Sequence, residues 1–303
     1  MINYRTLETH ELEDWFNLCG CAFEEPSEYF KNHFYNDPWR DIDSIFVAEK
    51  DSNLIGTVRV FHRKIYCENK VLTLGGIGEV CTRFEYRKQG ISTKLLNMAI
   101  LYMKNKGFDL SCLETGTHDH YNKLGWQTIK QIFNTSKIKA SDHFDHIIKP
   151  INFMEQKELS DLFMLYKDYC STKFGPLVRS LDYFKTWIKH EASKNTGSWL
   201  VYSDTFEALA YIIFNVEKEF LHIKEFSAIN GQEDLIDTLI PYIIHKIGKK
   251  DLNVNYPSQI MTSFKVTKTQ PYEGYMLKTI NNLNKDIVYK LKNNLLFLSL
   301  DSF

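Results

Sequence analysis

Apolar residues along the chain recur at two spacings, and the switches between them outline the elements. Leu12, Trp15, Phe16 and Cys19 fall on one helical face, which predicts a helix over 8–23. A short strand over 3–7 precedes it and a second helix over 26–34 follows. Three β-branched and aromatic runs come next, over 44–49, 54–66 and 70–82, the last two separated by a turn at Glu68-Asn69. Helical spacing resumes at Ile91, with Leu95, Met98 and Tyr102 on one stripe, Leu96 and Ala99 beside it, and Gly107 at its end. Residues 109–114 read as a buried strand, 119–124 as a short helix closed by Gly125, and 126–138 as a strand. The order is βααβββαβαβ.

The pattern loosens over 143–150, which reads as a linker, and the order of element types then partly repeats. Helices are predicted over 155–170 and 181–192, strands over 198–203, 207–215 and 221–228, then a helix over 233–246 and a strand over 252–255. The last strands are predicted over 271–280 and 295–300. This pattern predicts an α+β chain of two tandem domains, residues 1–145 and 146–303, each a mixed, mostly antiparallel sheet flanked by helices.

A length of 303 residues accommodates two such domains. The formal net charge of −1 shows no basic excess, which argues against non-specific nucleic-acid binding. No uncharged apolar run approaches ~18 residues, so no membrane helix is expected. The opening residues do not pattern as a signal peptide, and six scattered Cys form no disulfide framework. The expected location is therefore cytoplasmic, as a monomer or homodimer. Most basic residues are Lys, so the few Arg stand at chosen positions.

One of them opens the segment Arg87-Lys88-Gln89-Gly90-Ile91-Ser92, at the junction of a predicted strand and a predicted helix. The first N–H groups of that helix point outward unpaired, and with the helix dipole they make an anion site. Gly90 allows close backbone approach and a positive φ. Arg87 and Lys88 add charge, and Ser92 a hydroxyl. A pyrophosphate fits this donor set. A surface turn with ordinary basic residues has the same short pattern. Gly75-Gly76-Ile77-Gly78 lacks the glycine spacing and the following helix of a dinucleotide fingerprint.

The segment from Val80 to Ser92 resembles motif A of the GNAT superfamily, with Ser92 where Gly or Ala is usual. Leu113 to Trp126, ending Tyr121-Asn122-Lys123-Leu124-Gly125-Trp126, resembles motif B. The resemblance implies acetyl-CoA as co-substrate. It implies a β-bulge in the strand over 78–82, with backbone at Val80, Cys81 and Thr82 pairing with the pantetheine arm. It places the phosphates on Arg87, Lys88, Gln89, Gly90, Ile91, Ser92 and Thr93. It also makes Tyr121 the general acid that protonates the departing thiolate; the plain alternative is an aromatic anchor of its helix. A phenol suits that task, since its ordinary pKa is near 10.

The general base stays open among Glu79, Glu114, a water chain, and the chain end, where Asp301 and the Phe303 carboxylate follow an apolar tail. His118 and His120 read first as solvated loop residues and second as a proton relay. No metal site is expected. Cys81 and Cys112 would serve a covalent route, but buried structural thiols read better.

With its second half, the chain resembles the Eis-type acetyltransferases without their sterol-carrier-like third domain. In that family the C-terminal carboxylate is the base. The corresponding loop of the second half, residues 226–234, lacks the basic residues and placed glycines, so no second acetyl-CoA site is expected. The function implied is direct acetyl transfer from acetyl-CoA to a primary amine on a small molecule or peptide. The alternative is a non-catalytic acyl-CoA-binding regulatory module.

Overall fold

A computed structural model describes residues 1–301 of the chain. The first strands are β1 (Asn3–Thr6), β2 (Ile45–Lys50), β3 (Asn53–Cys67), β4 (Lys70–Thr82), β5 (Leu110–Glu114) and β6 (Gln127–Thr128). Next come β7 (Gln131–Lys139), β8 (Ile147–Pro150), β9 (Phe174–Leu177), β10 (Gly197–Tyr202), β11 (Ala208–Glu217) and β12 (Phe220–Ala228). The last are β13 (Asp251–Pro257), β14 (Val266–Tyr272) and β15 (Tyr275–Thr279). The helices are α1 (Leu12–Phe23), α2 (Ser27–Asn36), α3 (Ile91–Asn105), α4 (His118–Asn122), α5 (Gln156–Cys170), α6 (181–193), α7 (Leu235–Lys246) and α8 (Lys285–Asn294). A π-turn at Phe184–Ile188 lies inside α6.

The strands form two mixed sheets, as the α+β reading expects. The first runs β1-β2-β3-β4-β5-β15-β6, with β9 on the far end of β3; the second runs β14-β7-β13-β12-β11-β10-β8. In each sheet one parallel pair, β4 with β5 and β12 with β13, flanks a crossover helix. On α3, Ile91, Leu95, Leu96, Ala99 and Met103 are buried to 1% exposure or less against the first sheet, whereas Met98 and Tyr102 of the expected stripe are only partly buried. Each fully buried large aliphatic there contributes about 1.5–3 kcal/mol. Beyond the helix, Gly107 turns the chain at φ +76°.

Four predicted elements differ. The strand over 126–138 is two strands in different sheets, β6 and β7, parted at Ile129-Lys130. The strand over 271–280 is likewise β14 in the second sheet and β15 in the first, where β15 inserts between β5 and β6. Alternation says that a segment is extended, but not which edge receives it. The expected linker contains β8, paired to β10. The tail over 295–300 is no strand: it makes one bridge, Leu295 to Phe174, and ends in a 3-10 turn, Ser299–Asp301. The helix α8 before it went unpredicted.

The two exchanged strands tie the sheets together. So does the largest hydrophobic cluster, which joins Phe61, Ile65, Leu74, Leu110 and Leu177 of the first sheet to Tyr183 and Trp187 of α6 and Leu200 of the second sheet.

Candidate active site

The site begins where β4 leaves its neighbours. Against β3, Thr57 lies opposite Cys81 but Arg59 opposite Gly78, so Val58 faces both Glu79 and Val80. That extra residue is a β-bulge, and Glu79 takes φ +52° to make it. On its other side β4 pairs with β5 only from Leu74↔Leu110 to Ile77↔Leu113. Beyond Ile77 the strands part, and the β4 edge over 78–82 faces the opening without a β5 partner. This is the splayed strand expected from the resemblance, and its free backbone suits an added extended chain.

The loop after β4 leads into α3. Arg87, Lys88, Gln89 and Gly90 are exposed, with Lys88 at φ +64° and Gly90 at φ +78°. No side chain caps α3, whose first internal bond is Lys94 N–H to Gly90 O, 3.1 Å. The N–H groups of Ile91, Ser92 and Thr93 are thus left for an external acceptor. A Cβ added at Gly90 would meet nothing within 4 Å, so the space above the glycine is open. Arg87 is held in place: its Nε donates to Thr82 O at 3.2 Å and its guanidinium lies 5.4 Å from the ring centre of Phe84. An open glycine, free N–H groups and an anchored guanidinium fit a pyrophosphate.

Tyr121 comes from the short helix α4 beside this loop. Its ring is buried and lies edge-on to Trp126 at 6.1 Å. Its hydroxyl makes no hydrogen bond within the described residues, and burial pushes its pKa up to about 12. The proton therefore stays on oxygen at neutral pH. His120 Nε2 lies 3.3 Å from Ser92 Oγ, which fastens α4 to the start of α3. Ser92 is thus partnered within the protein rather than held for phosphate alone. His118 bonds the Thr115 carbonyl at 3.1 Å, and no metal-holding cluster exists among the described residues.

The carboxylates named as bases sort clearly. Glu79 is buried on the bulge; Arg59 Nη1 approaches its Oε1 at 3.4 Å, and its Oε2 has no partner among the described residues. Burial outweighs the attraction of Arg59 and pushes Glu79 up to about 7, a value suited to a base near neutrality. Glu114 is exposed and bonded by the Tyr272 hydroxyl. Asp301 is buried 3.0 Å from Arg179 Nε, and burial raises its pKa. Phe303 lies outside the described residues. Cys81 and Cys112 are buried, and burial holds the Cys112 thiol well above its usual range, against a thiolate there.

Two buried ion clusters escaped the sequence reading. In one, Asp37 joins Arg59 and Arg63; in the other, Arg179 joins Glu225 and Asp301. The signal available was the Arg itself: three of the few Arg in a Lys-dominated chain are the buried ones.

A family model described as an acetyltransferase (GNAT) domain matches residues 3–129, which span the splayed strand, the loop and Tyr121. Residues 3–129 are a GNAT acetyltransferase domain. The chain thus carries an acetyltransferase domain, which makes it an acyltransferase with acetyl-CoA as donor and an amine-bearing acceptor. It is 28% identical over 148 residues to N-alpha-acetyltransferase 30 of Schizosaccharomyces pombe, covering 46% of this chain and 92% of that protein. A probable N-acyltransferase of unknown function from Enterococcus faecalis shares the fold over 92% of this chain and 73% of its own, with TM-score 0.75 and 17% identity. Eis1 from Mycobacterium abscessus does so over 92% and 74%, with TM-score 0.63 and 12% identity. The likeness in fold thus extends beyond the matched domain. No helix of the described residues is long and apolar enough to cross a membrane.

Proposed function

We propose that the chain transfers an acetyl group directly to a primary amine, with Glu79 as base and Tyr121 as acid. The observation that carries this reading is the bulge. It lies where β4 parts from β5, and on that bulge sits a buried carboxylate, one oxygen of which has no partner among the described residues. Acetyl-CoA, when bound, supplies an activated thioester carbonyl. The backbone over Val80, Cys81 and Thr82 orients the pantetheine arm, and Arg87, Lys88, Gln89 and Gly90 with the N–H groups of Ile91, Ser92 and Thr93 hold the phosphates.

Glu79 Oε2 takes one proton from the acceptor's ammonium, which frees the nitrogen lone pair for attack on the carbonyl carbon. As the C–S bond breaks, Tyr121 gives its proton to sulfur and regains one from the nitrogen, which becomes the amide. One proton in total leaves through Glu79 to solvent. A backbone N–H of the bulged strand stabilises the charge that develops on the carbonyl oxygen. In this division of labour residues 1–145 carry donor and chemistry, while residues 146–303 wall the acceptor cleft and send β15 back into the first sheet.

The test is thiol release from acetyl-CoA by the purified protein against a panel of small amines, polyamines, aminoglycosides, amino acids and lysine peptides. Turnover with at least one acceptor is expected. Tight acetyl-CoA binding without turnover on any acceptor would favour a regulatory acyl-CoA-binding module instead.

A further inference from the structure

Glu79 does not stand alone on its bulge. It is one end of a buried ion cluster whose centre, Asp37, follows α2. Asp37 is fully buried and accepts four hydrogen bonds. Oδ2 takes Arg59 Nη2 at 3.0 Å and Arg63 Nη2 at 3.1 Å; Oδ1 takes Arg63 Nη1 at 3.1 Å and the Trp39 N–H at 3.0 Å. Aromatic rings wall both guanidinium groups. Arg59 lies 3.9 Å from the centre of Phe61 and 5.3 Å from Phe34, and Arg63 lies 5.3 Å from Trp39 and 5.5 Å from Trp187. The contact from Arg59 to Glu79, 3.4 Å, is looser than any of these, so Arg59 belongs first to Asp37.

We propose that Asp37 is a positioning residue for acetyl transfer: by pinning Arg59 and Arg63 in one cluster, it sets the Arg59 guanidinium against one oxygen of Glu79 and leaves the other for the acceptor's ammonium. This rests on the reading of Glu79 as base. With Glu79 ionised the cluster is neutral, two arginines against two carboxylates. Among the described residues, Cys19 of α1 and Tyr29 of α2 also act on Glu79 and are neutral at pH 7, and His33 of α2, beside Arg59 and Arg63, is kept neutral by burial. Asp37 therefore weakens the positive field at Glu79, and Arg63 strengthens it. Without Asp37 both arginines would act on Glu79 undiluted and hold it ionised to lower pH; without Arg63 it would keep its proton to higher pH.

The experiment is an infrared titration of the full chain, following the protonated-carboxyl band that Glu79→Gln removes. Asp37→Asn is expected to move its midpoint down by about one pH unit, and Arg63→Gln to move it up by about as much. Midpoints that stay in place, or move in the same direction, in proteins with native near-ultraviolet circular dichroism would overturn the proposal. Should Asp37→Asn not fold, Arg63→Gln alone decides: an upward shift supports the cluster and an unmoved midpoint overturns it. The base reading is judged separately by turnover. If Glu79→Gln keeps the wild-type rate, that reading falls, while the titration still decides what Asp37 does to Glu79.

Discussion

Replacing Tyr121 with Phe removes one oxygen and little else. The ring keeps its edge-on contact with Trp126 at 6.1 Å, and the hydroxyl has no hydrogen bond to lose within the described residues. Stability should stay within about 0.5 kcal/mol of wild type. The rate should not. A positioned acid contributes roughly 10²–10⁴-fold, and a thiolate with an ordinary thiol pKa near 8.5 is already a fair leaving group. The loss should therefore fall at the low end, about 10²-fold in kcat, or ~2.7 kcal/mol. The KM for acetyl-CoA should change less than about twofold, because the phosphate loop is untouched.

Burial adds a second handle. With Tyr121 at about 12, its proton lies roughly 3.5 pH units above a thiol, so handing it to the thiolate and leaving a bare phenolate would cost on the order of 5 kcal/mol unless the nitrogen returns a proton to the phenol in the same step. The proton must move as sulfur departs, and no basic limb from Tyr121 should appear below about pH 10. The assay is thiol release over that range, with kcat and KM for acetyl-CoA measured for both proteins. A Phe variant that keeps more than about a third of wild-type kcat would remove Tyr121 from the chemistry. So would an effect confined to KM.

Glu79→Gln should lower kcat/KM and abolish the acid limb expected near pH 7. Because the folded pKa of Glu79 is raised, its contribution to stability is present below about pH 4.5 and lost as pH rises through 7. The Gln variant should thus become more stable than wild type by on the order of 3 kcal/mol at pH 8, a gain that fades toward pH 4.5 in denaturant titrations; an equal difference at both pH values would contradict the buried carboxyl. Gly90→Val meets no steric neighbour, so its cost in the free protein is backbone strain of about 1–2 kcal/mol at φ +78°. Its branched side chain would stand in the phosphate's approach and weaken acetyl-CoA at least tenfold by calorimetry. Unchanged affinity would place the phosphates elsewhere. Arg179→Met strands Glu225, held at 2.6 Å and 2.7 Å, and Asp301 without their cation. Urea unfolding should show a loss of about 3–5 kcal/mol, and a loss under 1 kcal/mol would mean that the second cluster carries little.

The donor side of the candidate site could be put forward from residues 80–126 because its requirements are local. An anion cradle needs a glycine, a helix start and a cation within six positions, and Arg87 to Ser92 meet them in sequence. Tyr121 follows from the same kind of short-range pattern. The α3 stripe, the two long antiparallel strands and the α+β class rest on periodicity, which each segment carries by itself.

What required the tertiary structure is everything set by partners far apart in the chain. No pattern in 126–138 or 271–280 tells β7 from β6 or β15 from β14, since alternation marks a strand and leaves its edge unspecified. Glu79 reads as one acidic residue in a strand until Arg59, twenty positions away, and Asp37, twenty-two positions beyond that contact, close around it. Its proton affinity is a property of burial and neighbouring charge, and neither exists before the chain has folded.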